Sequence, residues 1–187
     1  MEFREVFRRV SEVLDSAAIP YMLTGSFASS YYGVLRATHD IDIVIAPSPQ
    51  QIRELVKHLN EADYYADEQA ALDAQRERSM FNAIDNQTGW KVDFIFCKVI
   101  AYSREAFQRR RAVEFQGSKM FVASPEDVIV SKLDWAKMSE SARQIDDVAA
   151  VLKKQHKAID RPYIEKWVHE LGLSSEWDRA RQLAGLE

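Results

Sequence analysis

Two aspartates, Asp40 and Asp42, open the apolar run DIDIVI at residues 40–45. If this run is a strand, side chains two residues apart point to the same face, so the two carboxylates project together. Like charges side by side repel each other unless a cation lies between them. A divalent cation such as Mg²⁺ selects carboxylate and phosphate oxygens. The other interpretation is a solvated strand end at which Arg36 or His39 supplies the counter-charge.

A third carboxylate, Asp93, lies in a second apolar run, WKVDFIF at residues 90–96. If this strand pairs beside the first, we expect three carboxylates to converge at one edge of the sheet. Two-metal phosphoryl transfer needs such a set, because two ions about 4 Å apart hold the attacking and leaving oxygens. The alternative is a strand-edge charge that pairs with Lys91 or Lys98.

A possible phosphate contact, Gly25-Ser26, follows the short apolar run YMLT at residues 21–24. Glycine between a strand and a helix lets the backbone turn sharply and approach a ligand closely. The helix N-terminus that follows offers free N–H groups to a phosphate. The alternative is an ordinary loop or helix cap, in which a Gly-Ser pair is common.

Hydrophobic spacing predicts the elements that position these residues. Helices are expected over residues 2–17, 26–34, 49–60, 125–138, 141–155, 161–171 and 175–184. Strands are expected over residues 21–24, 41–45, 80–85, 90–96, 112–115 and 119–123. The turn sequence Asn86-Gln87-Thr88-Gly89 predicts a hairpin between the strands at 80–85 and 90–96, and Gly117-Ser118 predicts one between the last two strands. Ser48 and Ser124, each followed by proline, are typical helix N-caps. Residues 61–79 are ambiguous between strand and helix.

This order of elements predicts an α+β fold, with a mixed β-sheet and flanking helices followed by a C-terminal helical region. We expect two domains: an α/β core at residues 1–123, and a helical region at residues 124–187 that packs on it. A chain of 187 residues has enough length for this arrangement.

Composition excludes several classes of protein. A net charge of -4 argues against a protein that coats nucleic acid through overall basicity. A single cysteine, Cys97, excludes an internal disulfide and a cysteine-rich zinc site. No stretch approaches the ~18 apolar residues that a membrane span requires, so we expect no membrane partner and a cytoplasmic location.

Together, Gly-Ser after a strand, the Asp-X-Asp motif and a later lone Asp resemble the nucleotidyltransferase superfamily typified by DNA polymerase β. The segment RATHDID at residues 36–42 is most similar to the AbiEii-like nucleotidyltransferases of toxin–antitoxin and phage-defence systems. SPEDVIVSKLDWAK, from residue 124, and RQIDDVAAVL, from residue 143, resemble the helical part of those proteins.

The resemblance implies a role for each matching residue. Asp40 and Asp42 would bind two Mg²⁺ ions, with Mn²⁺ as an alternative, and Asp93 would complete the metal site and assist deprotonation of the acceptor hydroxyl. Gly25 and Ser26 would hold the triphosphate of the nucleotide.

The resemblance also implies contacts outside this core motif. Lys132 would reach a phosphate, unless it is a solvated helix lysine. Independently of the resemblance, Arg36 and Thr38 precede the acids closely enough to contact phosphate or fix the loop. Asp146 or Asp147 would match a late aspartate of the family, and the sequence does not choose between them.

The resulting hypothesis is a Mg²⁺-dependent enzyme that moves a nucleoside monophosphate from a nucleoside triphosphate to a hydroxyl acceptor. The acceptor would be RNA or protein, in a toxin–antitoxin or phage-defence system with a cognate antitoxin as partner. One alternative is a small-molecule acceptor of the antibiotic type. Another is a non-catalytic module that uses this fold to bind a nucleotide or a partner.

Overall fold

A computed structural model describes residues 2–34 and 38–186 of the chain. Its helices are α1 (Glu2–Ser16), α2 (Gly25–Tyr31), α3 (Pro49–Glu61), α4 (Glu68–Glu77), α5 (Ala101–Gln108), α6 (Pro125–Ser139), α7 (Ala142–Gln155), α8 (Arg161–Glu170) and α9 (Ser174–Ala184). Its strands are β1 (Tyr21–Leu23), β2 (Asp40–Ile45), β3 (Tyr64–Ala66), β4 (Met80–Asp85), β5 (Lys91–Phe96), β6 (Arg111–Phe115) and β7 (Ser118–Val122).

The chain divides into two compact units. The first comprises Met1–Thr24 and Ala37–Val122 and contains every strand just named. The second comprises Gly25–Arg36 and Ala123–Glu187. The short helix α2 therefore groups with the C-terminal helices, although it follows β1 directly in the sequence.

All strands of the first unit form one mixed sheet in the order β3-β4-β5-β2-β1-β7-β6. β2 and β5 are parallel, as are β1 and β7, whereas the other neighbours are antiparallel. The β4–β5 and β6–β7 hairpins form where the turn sequences predict them. The expected α+β class is confirmed.

One face of this sheet and its helices make the core of the first unit. Along β2, Ile41, Ile43 and Ile45 are fully buried, whereas the side chains between them are at least partly exposed. Helix α1 contributes Phe7 and Leu14 to the core and contacts α3 and β7. The strict alternation along β2 fixes which face carries its carboxylates.

Local capping explains why two helices begin where they do. Ser48 caps α3 in a full capping box, accepting a hydrogen bond from the Gln51 amide while the Gln51 side chain accepts one from the Ser48 amide. Ser124 accepts a bond from the Asp127 amide at the start of α6. Both caps agree with the sequence-based prediction.

The second unit is a helical cluster in which α6 contacts α2, α7, α8 and α9. A buried polar network joins α6 to α8, because Ser124 and Tyr163 both donate hydrogen bonds to the Asp127 carboxylate, at 2.6 and 2.7 Å. Among the described residues, no helix combines the length and the hydropathy needed to cross a membrane.

The structure adds detail in two segments that the sequence left open or did not assign. The ambiguous residues 61–79 form both a strand, β3, and a helix, α4. Helix α5 was not predicted, since its N-cap position is Ile100, which makes no side-chain capping bond. Without a capping residue or a long apolar period, an eight-residue helix gives little signal in the sequence.

Candidate functional site

The predicted acidic residues lie on one face of the sheet because β2 and β5 are parallel neighbours. Asp42 is the register partner of Asp93, and Asp40 is the register partner of Lys91. The pairing of these two strands agrees with the sequence-based expectation. Their position does not, because β2 and β5 are inner strands of the sheet and the carboxylates do not lie at its edge.

A lysine neutralises part of this acidic face. Lys91 Nζ donates a hydrogen bond to Asp93 Oδ2 at 2.9 Å and lies 3.5 Å from Asp40 Oδ1. Asp93 is buried, whereas Asp40 is exposed. The bond to Asp93 raises the pKa of Lys91, with a further contribution from Asp40, so Lys91 stays charged at neutral pH.

The structure distinguishes among the counter-charges that the sequence suggests. Of the two lysines considered for Asp93, the structure selects Lys91. His39 is exposed and contacts the ring of Trp90, with ring centroids 5.2 Å apart. Arg36 lies outside the described residues, so its predicted contact with the acids or with phosphate stays a prediction.

One atom of the site bears directly on whether a cation fits. Asp93 Oδ1 is buried and has no hydrogen-bond partner in the described part of the chain. A buried carboxylate oxygen without a partner is costly unless a cation or a donor binds it. Its chemistry suits a hard divalent ion, which prefers oxygen ligands.

The carboxylates are nevertheless not arranged as a finished metal site. Within residues 2–34 and 38–186, no group of three His, Cys, Asp or Glu side chains is placed to hold a metal ion. The backbone register brings Asp42 and Asp93 together, while the Lys91 ammonium lies between Asp40 and Asp93. The residue types fit a divalent ion, and the side chains around Lys91 would have to rearrange to bind one.

Asn82 is a neighbour of the acids that the sequence analysis did not single out. It is the register partner of Asp93 on the other side, across the antiparallel β4–β5 pair, and its side chain is exposed. The β4–β5 hairpin was predicted from its turn, so counting the register back from that turn would have identified this residue. Asp42, Asp93 and Asn82 thus form a row across three strands.

The predicted phosphate-binding residues occupy two parts of the chain. Gly25 begins α2 with φ +65°, a conformation that glycine adopts without strain. Ser26 is half-buried in the first turn of the same helix. Thr38, in the first unit, accepts a hydrogen bond from the Asp40 amide at 3.2 Å and so fixes the backbone at the start of β2.

Lys132 is buried in the second unit and is not a solvated helix lysine. Its ammonium donates hydrogen bonds to Asp147 Oδ2 at 2.7 Å and to Gln144 Oε1 at 3.0 Å, and the residue is only 4% exposed. Of the two late aspartates, Asp147 is therefore the partner of Lys132, whereas Asp146 is exposed.

Solved structures with a similar fold include several nucleotidyltransferases. The antibiotic-resistance factor ANT(2'')-Ia is 14% identical, with a TM-score of 0.62 over 96% of this chain and 95% of that one. An antigenic nucleotidyltransferase-like protein from Paracoccidioides brasiliensis is 18% identical, with a TM-score of 0.58 over 95% and 93%. The lincosamide antibiotic adenylyltransferase LnuA is 12% identical, with a TM-score of 0.56 over 86% and 98%.

A comparison with curated proteins finds no match. A protein-family model described as "Uncharacterised nucleotidyltransferase" matches residues 3–186. This match includes both units and all the candidate site residues. Because it spans almost the whole chain, the protein belongs to this nucleotidyltransferase family and is a transferase.

Proposed function

We propose that the protein transfers a nucleoside monophosphate from a nucleoside triphosphate to a hydroxyl acceptor, and that Asp40, Asp42 and Asp93 hold two Mg²⁺ or Mn²⁺ ions for this reaction. Nucleotidyltransferases generally use divalent metal ions. The observation that carries the proposal is the register pairing of Asp42 with Asp93, together with the buried Oδ1 of Asp93, which has no hydrogen-bond partner in residues 2–34 and 38–186.

In the proposed reaction, the acceptor oxygen forms a bond to the α-phosphorus and the bond to the bridging oxygen of the β-phosphate breaks, releasing pyrophosphate. The bound ions would supply positive charge to the phosphate oxygens and favour ionisation of the acceptor hydroxyl. Asp93 would assist this deprotonation through the ion that it holds, and the proton would pass to water. Lys91 would supply a further positive charge on the same face.

The nucleotide would be held by Gly25, Ser26, Arg36, Thr38 and Lys132. Gly25 and Ser26 would offer backbone N–H groups and a hydroxyl to the triphosphate, and Thr38 would keep the chain leading into β2 in place. Lys132 would contribute its charge. To do so, its ammonium would exchange one of its hydrogen-bond partners, Asp147 or Gln144, for a phosphate oxygen.

For the acceptor, the proposal retains RNA or protein, in a toxin–antitoxin or phage-defence role with a cognate antitoxin, as expected from the AbiEii-like segment. The fold neighbours support a second candidate, a small hydroxylated molecule. One of them was solved with adenylyl-2''-tobramycin and another with lincomycin bound. At 12–14% identity these neighbours establish the fold alone, so the acceptor is decided by assay.

The experiment compares the wild-type protein with Asp42→Asn and Asp93→Asn. Calorimetry with each nucleoside triphosphate and Mg²⁺ measures binding without an acceptor. Pyrophosphate release with total RNA, tobramycin or lincomycin then measures turnover. Both variants should lose transfer by about a hundredfold or more, because ligand removal takes away several kcal/mol of charge stabilisation.

Asp178→Asn serves as the matched control, since Asp178 is an exposed carboxylate on α9, in the other unit. It should bind and turn over as the wild type does. Unchanged nucleotide binding and unchanged pyrophosphate release in both Asp42→Asn and Asp93→Asn would contradict the proposed role of the acids.

A further inference from the structure

The Lys91 ammonium occupies the space between two of the three proposed metal ligands. It lies 2.9 Å from Asp93 Oδ2 and 3.5 Å from Asp40 Oδ1. The third carboxylate, Asp42, is the register partner of Asp93 on the same face. Lys91 thus supplies a positive charge between Asp40 and Asp93.

A lysine and a divalent ion cannot both occupy this space. A doubly charged ion bound by Asp40 and Asp93 would lie within a few ångströms of the ammonium, and the repulsion between the two cations grows as the local dielectric constant falls. An ion placed between Asp40 and Asp93 therefore competes with the ammonium for the same position.

The structure also indicates which group moves. The Asp93 side chain is 8% exposed and fixed within the sheet, whereas the Lys91 side chain is 38% exposed. Lysine carries its charge on a flexible four-carbon stem with three rotatable donors. Lys91 can swing toward solvent or toward an incoming anion, while the carboxylate of Asp93 stays in place.

We propose that Lys91 is an internal cation that competes with the metal: it holds the acids in the metal-free protein and must be displaced when the metal binds. Divalent ions alone then bind weakly, and they bind well only together with the nucleoside triphosphate, whose phosphates accept the displaced ammonium. This inference rests on the proposed metal-dependent function and adds a control on the order of binding.

The opposite role for Lys91 gives the opposite result. Asp93 Oδ1 has no hydrogen-bond partner among the described residues, so an ion that used only this oxygen could leave the bond between Lys91 and Oδ2 intact. Lys91 would then orient the carboxylate, and its removal would weaken metal binding. The contact with Asp40 favours competition, because the ammonium spans two acids instead of supporting one.

The test is a titration with Mn²⁺ followed by electron paramagnetic resonance of the free ion, first without nucleotide and then with a non-hydrolysable ATP analogue. Without nucleotide, Lys91→Met should bind Mn²⁺ at least about fivefold more tightly than the wild type, since a neighbouring positive charge is removed. With the analogue, the two proteins should differ by less than about twofold, because the phosphates replace the carboxylates as partners of the ammonium.

Two further variants serve as controls. Lys91→Arg keeps the charge and should bind Mn²⁺ alone as weakly as the wild type. Lys98→Met removes an exposed lysine just beyond the end of β5 and should also behave as the wild type, which separates the local effect from the change in net charge. Circular dichroism checks that each variant is folded.

Each remaining outcome overturns the inference. Mn²⁺ binding by Lys91→Met that is weaker than in the wild type, or tighter by less than fivefold, means that Lys91 does not compete with the metal. If Lys91→Met binds Mn²⁺ more tightly than the wild type by the same factor with the nucleotide analogue as without it, the phosphates do not accept the displaced ammonium. In that case the proposed order of binding is wrong. If no variant binds Mn²⁺ with or without the analogue, the metal-dependent function fails as well, so the two failures are distinguishable.

Discussion

Asp42 and Asp93 are register partners on β2 and β5, two parallel strands in the interior of the sheet. Their carboxylates therefore start from adjacent backbone positions on one face. Like charges in cross-strand positions destabilise a sheet, and Asp93 is in addition buried. A cation at this place stabilises the folded chain, which connects ligand binding to a measurable thermal stability.

The first prediction concerns nucleotide and metal together. Mg²⁺ with ATP at about one hundred times its dissociation constant should stabilise the wild type by about 2.7 kcal/mol, because only the folded state binds the complex. Asp93→Asn should show almost none of this shift. Thermal unfolding with Mg²⁺ and ATP, and again after chelation with EDTA, measures the effect.

The same measurement on Asp178→Asn provides the control, and the shift should match that of the wild type. A shift of full size in Asp93→Asn would mean that the nucleotide complex binds elsewhere. A shift that survives EDTA would contradict the participation of a divalent metal.

Much of the sheet could be predicted from the sequence because its signals are local. The apolar alternation in β2, the turn between β4 and β5 and the serine cap of α3 each depend on a few adjacent residues, and each agrees with the structure. The two acidic segments could be assigned to one face by assuming that their strands pair. That assumption was correct.

The contact of Lys91 with Asp40 could not be predicted in the same way. Alternation along β5 favours Lys91 over Lys98 as the partner of Asp93, because residues two apart in a strand share a face. The contact with Asp40 depends instead on the register between β5 and β2, which are separated by two helices and two strands. The grouping of α2 with the C-terminal helices is likewise a long-range property. Local patterns contain no information about either.

The second prediction separates two roles of Lys132. Its ammonium and the Asp147 carboxylate form a buried ion pair, so Lys132→Met should lower the free energy of unfolding by about 3–5 kcal/mol because a buried carboxylate loses this counter-ion. The double variant Lys132→Met/Asp147→Leu should recover most of this loss, because an apolar pair replaces the ions. Denaturant unfolding measures both.

Nucleotide binding by the double variant then tests the phosphate contact. If Lys132 binds a phosphate, the double variant should be stable but should bind Mg²⁺–ATP about tenfold more weakly, as expected for loss of a charged hydrogen bond. Recovery of both stability and affinity would assign Lys132 a structural role only. Lys153→Met, an exposed change on α7, is the control.

The third prediction concerns the ion pair between Arg9 and Asp85, which links α1 to the end of β4. Asp85 is fully buried and also accepts hydrogen bonds from the amides of Gln87 and Thr88, at 2.9 and 3.3 Å. Arg9→Met should destabilise the fold by about 3–5 kcal/mol because a buried carboxylate loses its counter-ion.

The neighbouring arginine provides a matched control for this measurement. Arg8 is half-exposed and pairs with Glu5 and Glu12 on the surface of α1. Arg8→Met should cost less than about 1 kcal/mol, as is usual for exposed ion pairs. Equal losses in the two variants, measured by urea unfolding, would contradict the assigned importance of the buried pair.

The fourth prediction is a pH dependence that arises from Tyr21 on β1. Burial raises the pKa of Tyr21 to about 12, and the negative charge of Asp15 adds to the increase. The unfolded chain therefore loses this proton at a lower pH than the folded chain. The contribution of Tyr21 to stability is complete below its ordinary pKa of 10.0 and is lost as the pH rises toward 12.

Tyr21→Phe lacks the ionisable hydroxyl, so its free energy of unfolding should fall less than that of the wild type above pH 10. Between pH 9 and pH 11.5 the free energy of unfolding of the wild type should fall by about 1–2 kcal/mol more than that of Tyr21→Phe, since a difference of one pKa unit corresponds to 1.36 kcal/mol. Other groups titrate in both proteins and cancel.

Tyr65→Phe removes an exposed hydroxyl and should follow the wild type. Parallel curves for wild type and Tyr21→Phe across this range, in urea unfolding, would show that the Tyr21 hydroxyl ionises equally easily in the folded and unfolded chains.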